Sequence, residues 1–450
     1  MKEWSGDPRA ARVFHFGARH YDPATGLASL GYRLDNGPPL VEKLVFPYAP
    51  WPPETSRQAA FERALEVLHL VAGISYYKAA LPPQIIFDWV PAVDPLLAFT
   101  QRLYIEGLAE FSHVNSVRVA DRLHFPPGSD ARPAAGRLLL PERALVAMGG
   151  GKDSLVGLNL MRRSGVEVMP VCVGASGLIS DTVKAAGLPL LRISRQLAPE
   201  LPAMNAAGAW NGHIPVTAIN SAILVCAAVL YGFKYVVFSN ERSADEATLV
   251  TSDGVVVNHQ YSKTSAFERE FRDLVHSIIS PDIDYFSILR PFSELDIVRR
   301  FCAMSSFHPV YSSCNRNSHL AGPAIEGRWC GSCPKCRFAA LSLALFLSPR
   351  EVRAIQGKDL LDDPAQLEGF RALCGIGQDK PFECVGEAGE SRAALSALAG
   401  RAEWHGHAVV QALAPEVRDM QVPSLDELLK PSAAHFIPAA ITAALPHEFG

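Results

Sequence analysis

Ala144-Leu145-Val146-Ala147-Met148-Gly149-Gly150-Gly151-Lys152-Asp153-Ser154-Leu155-Val156 is the stretch on which the reading of this 450-residue chain turns. An apolar run enters three glycines, and Lys-Asp-Ser then opens a segment in which Leu155, Leu158, Leu160 and Met161 recur. The pattern predicts a buried strand, a tight loop and a helix N-terminus. Such a loop leaves backbone N–H groups unpaired and aimed outward. The helix dipole adds partial positive charge there, so the site favours phosphate. Spacing excludes two familiar phosphate loops. A Walker A loop needs a hydroxyl residue directly after its lysine, and Asp153 intervenes. A dinucleotide fingerprint needs its third glycine at position 154, which is Ser154. A glycine turn without a ligand is the simpler alternative, but a surplus of glycines costs conformational entropy.

Outward from this loop, residues 144–350 alternate between strand and helix patterns. Val166 to Val173, Leu188 to Ile193 and Lys234 to Phe238 read as buried strands with helical stretches between them. The alternation predicts an α/β fold with a doubly wound parallel sheet, whose ligands gather at the carboxyl ends of the strands. The triple glycine, Gly174-Ala175-Ser176 and Ser239-Asn240-Glu241-Arg242 are expected to converge there. Before this region, residues 11–47 alternate like a three-stranded antiparallel meander, with turns at Asp22-Pro23-Ala24-Thr25-Gly26 and Asp35-Asn36-Gly37. Thr55-x-x-Gln58 reads as a capping box for a helix carrying Phe61, Leu65, Leu68 and Ala72. Tyr76, Tyr77 and Lys78 follow, either as a packed aromatic edge or as a substrate-contacting one. Pro95 to Val114 reads as helical. The Pro- and Gly-rich stretch 125–136 marks a boundary. The expected organisation is an N-terminal α+β domain over 1–136, a catalytic domain over 137–350 and a small helical region over 351–450.

Bulk properties narrow the function classes. Hydrophobic residues make up 48% and charged residues 20%, ordinary for a globular protein, and the net charge of −4 argues against a nucleic-acid surface. The N-terminus lacks an apolar signal core, and the apolar run Ile214 to Tyr231 is broken by Pro215, Thr217, Asn220 and Ser221. A cytoplasmic protein without a membrane span is expected. Nine cysteines in such a compartment point to metal or catalysis rather than disulfides.

Cys314, Cys330, Cys333 and Cys336 form Cys-x15-Cys-x2-Cys-x2-Cys, a spacing that suits four thiolates around zinc. Free buried or reactive cysteines and an iron–sulfur cluster are the alternatives. A metal-free cysteine is also a candidate base, because paired cysteines serve racemases of unactivated amino acids. Three polar strings lie between the loop and the cysteines: 211–221, 239–245 and 258–265. A lone histidine is commonly structural, but the density of polar groups at predicted strand ends makes His213, Glu241, Arg242, His259 and Lys263 candidates for catalysis or substrate binding.

The glycine loop resembles the PP-loop of the ATP pyrophosphatases, Ser-Gly-Gly-x-Asp-Ser, with Gly149 in place of the leading serine. That resemblance implies that Gly149, Gly150, Gly151, Lys152, Asp153 and Ser154 hold the β,γ-pyrophosphate of ATP during attack on the α-phosphorus. The cysteine string is similar to the zinc site of the 7-cyano-7-deazaguanine synthases. Taken with Gly-His-Ile-Pro-Val-Thr-Ala-Ile-Asn-Ser (212–221), Ser-Asn-Glu-Arg-Ser-Ala (239–244), Tyr-Asp-Pro-Ala-Thr-Gly (21–26) and Ile-Ser-Tyr-Tyr-Lys-Ala (74–79), these motifs resemble the UDP-N-acetyl-α-D-muramoyl-L-alanyl-L-glutamate epimerase family. The resemblance implies ATP- and magnesium-dependent inversion of the terminal L-Glu of UDP-MurNAc-L-Ala-L-Glu, supplying D-Glu for peptidoglycan. Adenylation neutralises the carboxylate and acidifies the α-carbon, after which hydrolysis releases AMP and product. Lys152 would offset charge on the leaving pyrophosphate, His213, His259 or Lys263 would move the α-proton, and Arg242 would grip a carboxylate or phosphate. Another adenylating PP-loop enzyme and a non-catalytic nucleotide-binding protein are the competing readings.

Overall fold

Alternating burial along the N-terminal residues and unbroken burial along the central ones separate two kinds of strand within a single sheet. The computed structural model describes all residues except 1–5, 50, 91, 130–135, 252, 253, 255, 319–324, 326, 378–380, 384 and 450. The strands are β1 (Val13–Asp22), β2 (Leu27–Leu34), β3 (Leu40–Val45), β4 (Gln84–Phe87), β5 (Arg143–Ala147), β6 (Glu167–Val173), β7 (Leu191–Gln196), β8 (Tyr235–Phe238), β9 (Leu249–Val250), β10 (Val256–Val257) and β11 (Asp284–Ser287). Nine of them form one sheet in the order β11-β8-β5-β6-β7-β3-β2-β1-β4, and β9 pairs with β10 as a separate hairpin. β11, β8, β5, β6 and β7 run parallel. β7 meets β3 antiparallel, and the meander continues from there through β2 to β1. The fold is therefore α/β with a large, mostly parallel sheet flanked by helices. The stretch 125–136 and the N-terminal segment fall partly outside the described residues.

Successive residues of the parallel strands supply two different cores. Leu145, Val171, Ile193 and Val236 face one core, which contains the helices Thr55–Ala72 and Val216–Tyr231. Ala144, Val146, Cys172 and Val237 face the other, with the helices Lys152–Arg163, Glu294–Cys302 and Pro334–Leu343. Burial on both faces explains why these strands read as continuous apolar runs. The helix Val216–Tyr231 is apolar around most of its circumference and is enclosed by the first core. No described helix is long and apolar enough to cross a membrane.

Several local expectations are corrected. The capping box at Thr55 does not form: Glu54 is the N-cap, and the Gln58 Nε2 donates instead to the Pro52 carbonyl at 2.7 Å. The helical stretch after Pro95 is two helices, Asp94–Gly107 and Ala109–Asn115. The break lies where Pro215 presses against Gly107, so closely that a Cβ there would stand 2.7 Å from the proline Cγ. This contact sets the second helix, which carries Glu110, against the loop that carries His213. β4 and β11 were not foreseen, being four-residue edge strands with little sequence pattern.

The seam between meander and parallel strands is held by a buried charge. Glu42 on β3 is fully enclosed and accepts hydrogen bonds from Arg195 Nε on β7 at 2.7 Å, from Arg195 Nη2 at 3.3 Å and from the Tyr76 hydroxyl at 3.0 Å. Removing one partner of such a pair strands a charge in the interior. Arg195→Ala is expected to lower the urea-unfolding free energy by roughly 3–5 kcal/mol. The double variant with Glu42→Leu is expected to recover most of that loss in the same titration.

Candidate active site

The parallel strands β7, β6, β5, β8 and β11 reproduce the doubly wound order in which successive crossovers reverse direction at one point, here between β5 and β8. Ligands of such sheets bind outside the carboxyl ends at that reversal. A cleft of about 270 Å³ opens there, lined among others by Gly149, Gly151, Lys152, Asp153 and Ser154 after β5, and by Ser239, Asn240 and Glu241 after β8. Gly150 turns the loop at φ +78, and a Cβ on it would stand 2.9 Å from Leu178. Gly151 is the N-cap of Lys152–Arg163, and no side chain caps the helix, so its first N–H groups are left for a ligand. Gly149 has open space around its Cα, so the missing serine of the wider pattern reflects no steric demand.

Charge in the cleft centres on Lys152. Its Nζ donates to Asp153 Oδ1 and to Glu294 Oε2, both at 2.5 Å. Burial opposes the charged ammonium, yet the two carboxylates outweigh it and raise the pKa, so Lys152 is a permanent cation. Burial pushes the Glu294 carboxyl up, against the pull of Lys152. Glu241 is buried beside them, and its Oε1 has no hydrogen-bond partner among the described residues. The Ser239 hydroxyl is likewise buried and unpartnered. Two unsatisfied polar groups at the switch point are the mark of a site built for a ligand. Behind them, Glu390 of the helix Ala388–Ala399 accepts from the Leu295 N–H at 3.2 Å and holds the helix start from which Glu294 projects.

A second constellation stands apart from the lining residues, near enough to Lys263, which lines the cleft, for that charge to act on His213. Glu110, His213 and His259 come from a helix and two loops far apart in sequence, and their ligand-type atoms lie within 4.8 Å of one another. The Glu110 carboxylate makes a short hydrogen bond with His259 Nδ1 and stands 3.7 Å from His213 Nδ1. The two imidazole centroids are 4.4 Å apart. His213 is pushed down to about 4 by burial first and by the charges of His259 and Lys263, with Glu110 opposing. Lys78 supports this region from behind, its Nζ donating to Asn211 Oδ1 at 3.2 Å. Burial lowers the Lys78 pKa to about 8.

The four cysteines converge at one point, with Cys314 on the cleft lining. Cys333 and Cys336 Sγ are 3.5 Å apart, Cys330 and Cys336 Sγ 3.7 Å, and all four sulfurs lie within 4.8 Å of one another. Hydrogen bonds from Cys333 and Cys336 hold Cys314 well below the ordinary thiol range. A tetrahedral zinc site with Zn–S of about 2.3 Å has sulfurs about 3.8 Å apart, which this set matches. Cys314, Lys335, Phe338 and Ala339 of this unit line the same cleft.

Thus Lys152, Asp153, Glu241, Lys263 and Cys314 meet at one cleft, and His213 and His259 adjoin it through Lys263. Tyr76 and Tyr77 do not face it: Tyr76 stacks on Tyr32 at 4.5 Å, and Tyr77 packs against Phe14 and Tyr104. Arg242 does not line it either; its backbone N–H donates to the Phe292 carbonyl, and its charge acts on Glu390. Three residues escaped sequence reasoning. Lys335 stands inside the cysteine knuckle and was open to notice. Glu294 sits in a Ser-x-x-Asp helix start whose signal is local. Glu110 carries no sequence signal, because only the packing of Gly107 on Pro215 brings it to the histidines.

Glu390 gives this site a measurable pH dependence. Burial pushes its carboxyl from the ordinary 4.5 up to about 7. The folded chain therefore holds a proton that the unfolded chain releases between these values. Its contribution to stability is complete below the unfolded value and falls as pH rises towards 7, by roughly 3 kcal/mol in all. Glu390→Gln is expected to remove this slope. Urea unfolding at pH 5 and pH 8 should then show the wild type losing stability relative to the variant.

Residues 5–288 match the family model of the MurL N-terminal domain, and residues 310–427 match that of the MurL C-terminal domain. The chain is 45% identical over 442 residues to the UDP-N-acetyl-alpha-D-muramoyl-L-alanyl-L-glutamate epimerase of Xanthomonas oryzae pv. oryzae, covering 97% of each. It is 39% identical over 443 residues to the proteins of the same name from Salinispora tropica and Micromonospora sp., covering 97% of this chain and 96% and 98% of theirs. Similarity of this extent, spanning the glycine loop, both histidines and the cysteine cluster, establishes that the chain belongs to the UDP-N-acetyl-alpha-D-muramoyl-L-alanyl-L-glutamate epimerase family.

Proposed function

We propose that the chain is a cytoplasmic, ATP-dependent epimerase that inverts the terminal L-Glu of UDP-MurNAc-L-Ala-L-Glu through an acyl-adenylate, releasing AMP and pyrophosphate. The observation that carries this reading is the uncapped helix N-terminus after β5, set at the strand-order reversal beside a permanent lysine cation. We read the parallel sheet and this loop as a PP-loop ATP pyrophosphatase fold. Backbone N–H groups of residues 150–154 receive the β,γ-phosphates, and Lys152 offsets the charge that builds on the leaving pyrophosphate. Asp153 and Glu294 fix the ammonium in place. Glu241, with its free carboxylate oxygen, is the protein ligand for a magnesium ion carried in with ATP.

Activation matters because the α-proton of a free glutamate is very weakly acidic: its removal adds a second negative charge next to the first. Adenylation removes the first charge and lets an ordinary side-chain base act. His213, His259 and Lys263 are the bases within reach of the cleft. Cys314, Cys330, Cys333 and Cys336 hold a zinc ion that clamps the helix Pro334–Leu343 and its Lys335 against the cleft; the ion's role is structural.

Purified protein with ATP, magnesium and UDP-MurNAc-L-Ala-L-Glu should yield D-Glu by chiral analysis, with AMP and pyrophosphate in equal amounts. Absence of all three products from folded, ATP-binding protein would overturn the proposal. Asp153→Ala is expected to lower pyrophosphate formation by about 10²-fold or more, since the ammonium loses its orientation. Metal analysis should find one zinc per chain, lost in Cys333→Ser together with several degrees of Tm. Four freely titrating thiols and no zinc would refute the metal assignment.

A further inference from the structure

Glu110, His213 and His259 are not part of the phosphate loop, yet they are drawn together from three separate segments, near enough to Lys263 of the cleft for its charge to act on His213. Glu110 stands in the first turn of the helix Ala109–Asn115, His213 precedes the helix Val216–Tyr231, and His259 follows the hairpin β9–β10. One carboxylate oxygen, Glu110 Oε2, faces the Nδ1 atoms of both rings. A carboxylate that accepts the Nδ1 proton fixes the tautomer, orients the ring and stabilises the imidazolium that forms when Nε2 takes up a proton.

The arrangement of the rings carries a second consequence. With centroids 4.4 Å apart and planes inclined by 45°, the imidazoles stand side by side and admit no atom between them. Two bases that flank one carbon need about 6–7 Å between their reactive atoms, because each must come within about 3–3.5 Å of it. His213 and His259 therefore cannot serve opposite faces of an α-carbon. They form one unit that meets the substrate from one side.

We propose that Glu110, His259 and His213 form the proton-transfer site of the chain, with His259 as the base for one face of the α-carbon, Glu110 as its positioning residue and His213 as the adjoining ring that completes the unit. This rests on the acyl-adenylate reading above. In the step, the α-C–H bond of the adenylated glutamate breaks and an N–H bond forms at His259 Nε2. The electron pair moves into the acyl carbonyl, giving an enolate, and Glu110 balances the new imidazolium. The proton that returns to the opposite face comes from a group outside this pair. His213 adjoins without adding charge, in keeping with its pKa of about 4.

Two partial reactions separate this site from the phosphate loop. Exchange of labelled pyrophosphate into ATP, dependent on UDP-MurNAc-L-Ala-L-Glu, reports activation; deuterium uptake from D₂O at the α-carbon reports proton transfer. Glu110→Gln is expected to keep pyrophosphate exchange and substrate KM within about threefold of wild type while α-deuteration falls by about 10²- to 10⁴-fold. Glu110→Asp, which restores the carboxylate, should regain part of the deuteration. Equal loss of both reactions in Glu110→Gln, or undiminished α-deuteration, would overturn the proposal. So would a stoichiometric divalent ion that disappears with Glu110→Gln while the cysteine-bound zinc stays, since the three residues would then be metal ligands. If wild-type protein shows neither exchange nor deuteration, the failure lies with the acyl-adenylate reading.

Discussion

Between β5 and β8 the sheet reverses the side on which its crossovers run, and the helices that leave those two strands diverge to opposite faces. The helix Lys152–Arg163, which follows β5, joins one core, and the helix Ser265–Leu274, which follows β8, joins the other. Divergence leaves a crevice at the carboxyl ends that no side chain from either core can fill. The candidate phosphate site is arranged around that opening. The glycine loop enters it because a strand running straight into a helix exposes unpaired N–H groups at that point. Ser239 and Glu241 enter it because β8 ends on the other lip.

The electrostatics follow from how enclosed the crevice is. A lysine placed there would lose its charge to desolvation unless carboxylates compensate, and Asp153 and Glu294 do so. The arrangement reaches deep into the C-terminal region. Glu390, buried on the helix Ala388–Ala399, secures the helix start that presents Glu294. The residues after 350 are thus coupled to the phosphate loop through hydrogen bonds and not only through packing.

The glycine loop and the Glu110–His213–His259 group are separate: the loop lines the cleft, and Lys263, which also lines it, acts by its charge on His213. This division suits a reaction in which activation precedes C–H cleavage, because each set of groups can hold a protonation state that the other does not demand. In the proposed reaction the Lys152 cation would serve the departing phosphates, while the carboxylate-bound imidazole would serve the carbon acid. Glu110 comes from the helix Ala109–Asn115, so part of the proposed site belongs to the N-terminal half of the chain.

The central strands and the loop after β5 were legible in the residues, because both rest on local physics: an apolar run buried on two faces, a glycine turn, a helix start. The cysteine cluster was legible for the same reason, its four members lying close in sequence. The nine-stranded continuity of the sheet was not, since β3 and β7 pair across about 150 residues, with the buried Glu42–Arg195 contact at their seam. Tyr76 and Tyr77 read equally well as core or as site, and only the packing around them decides for the core. Glu110 and Glu294 were out of reach, because a carboxylate on an unremarkable helix acquires its meaning from the partner that tertiary packing sets against it. Sequence spacing reports what neighbours along the chain can do together; the meeting of Glu110 with two histidines, and of Lys152 with Glu294, is a property of the folded interior alone.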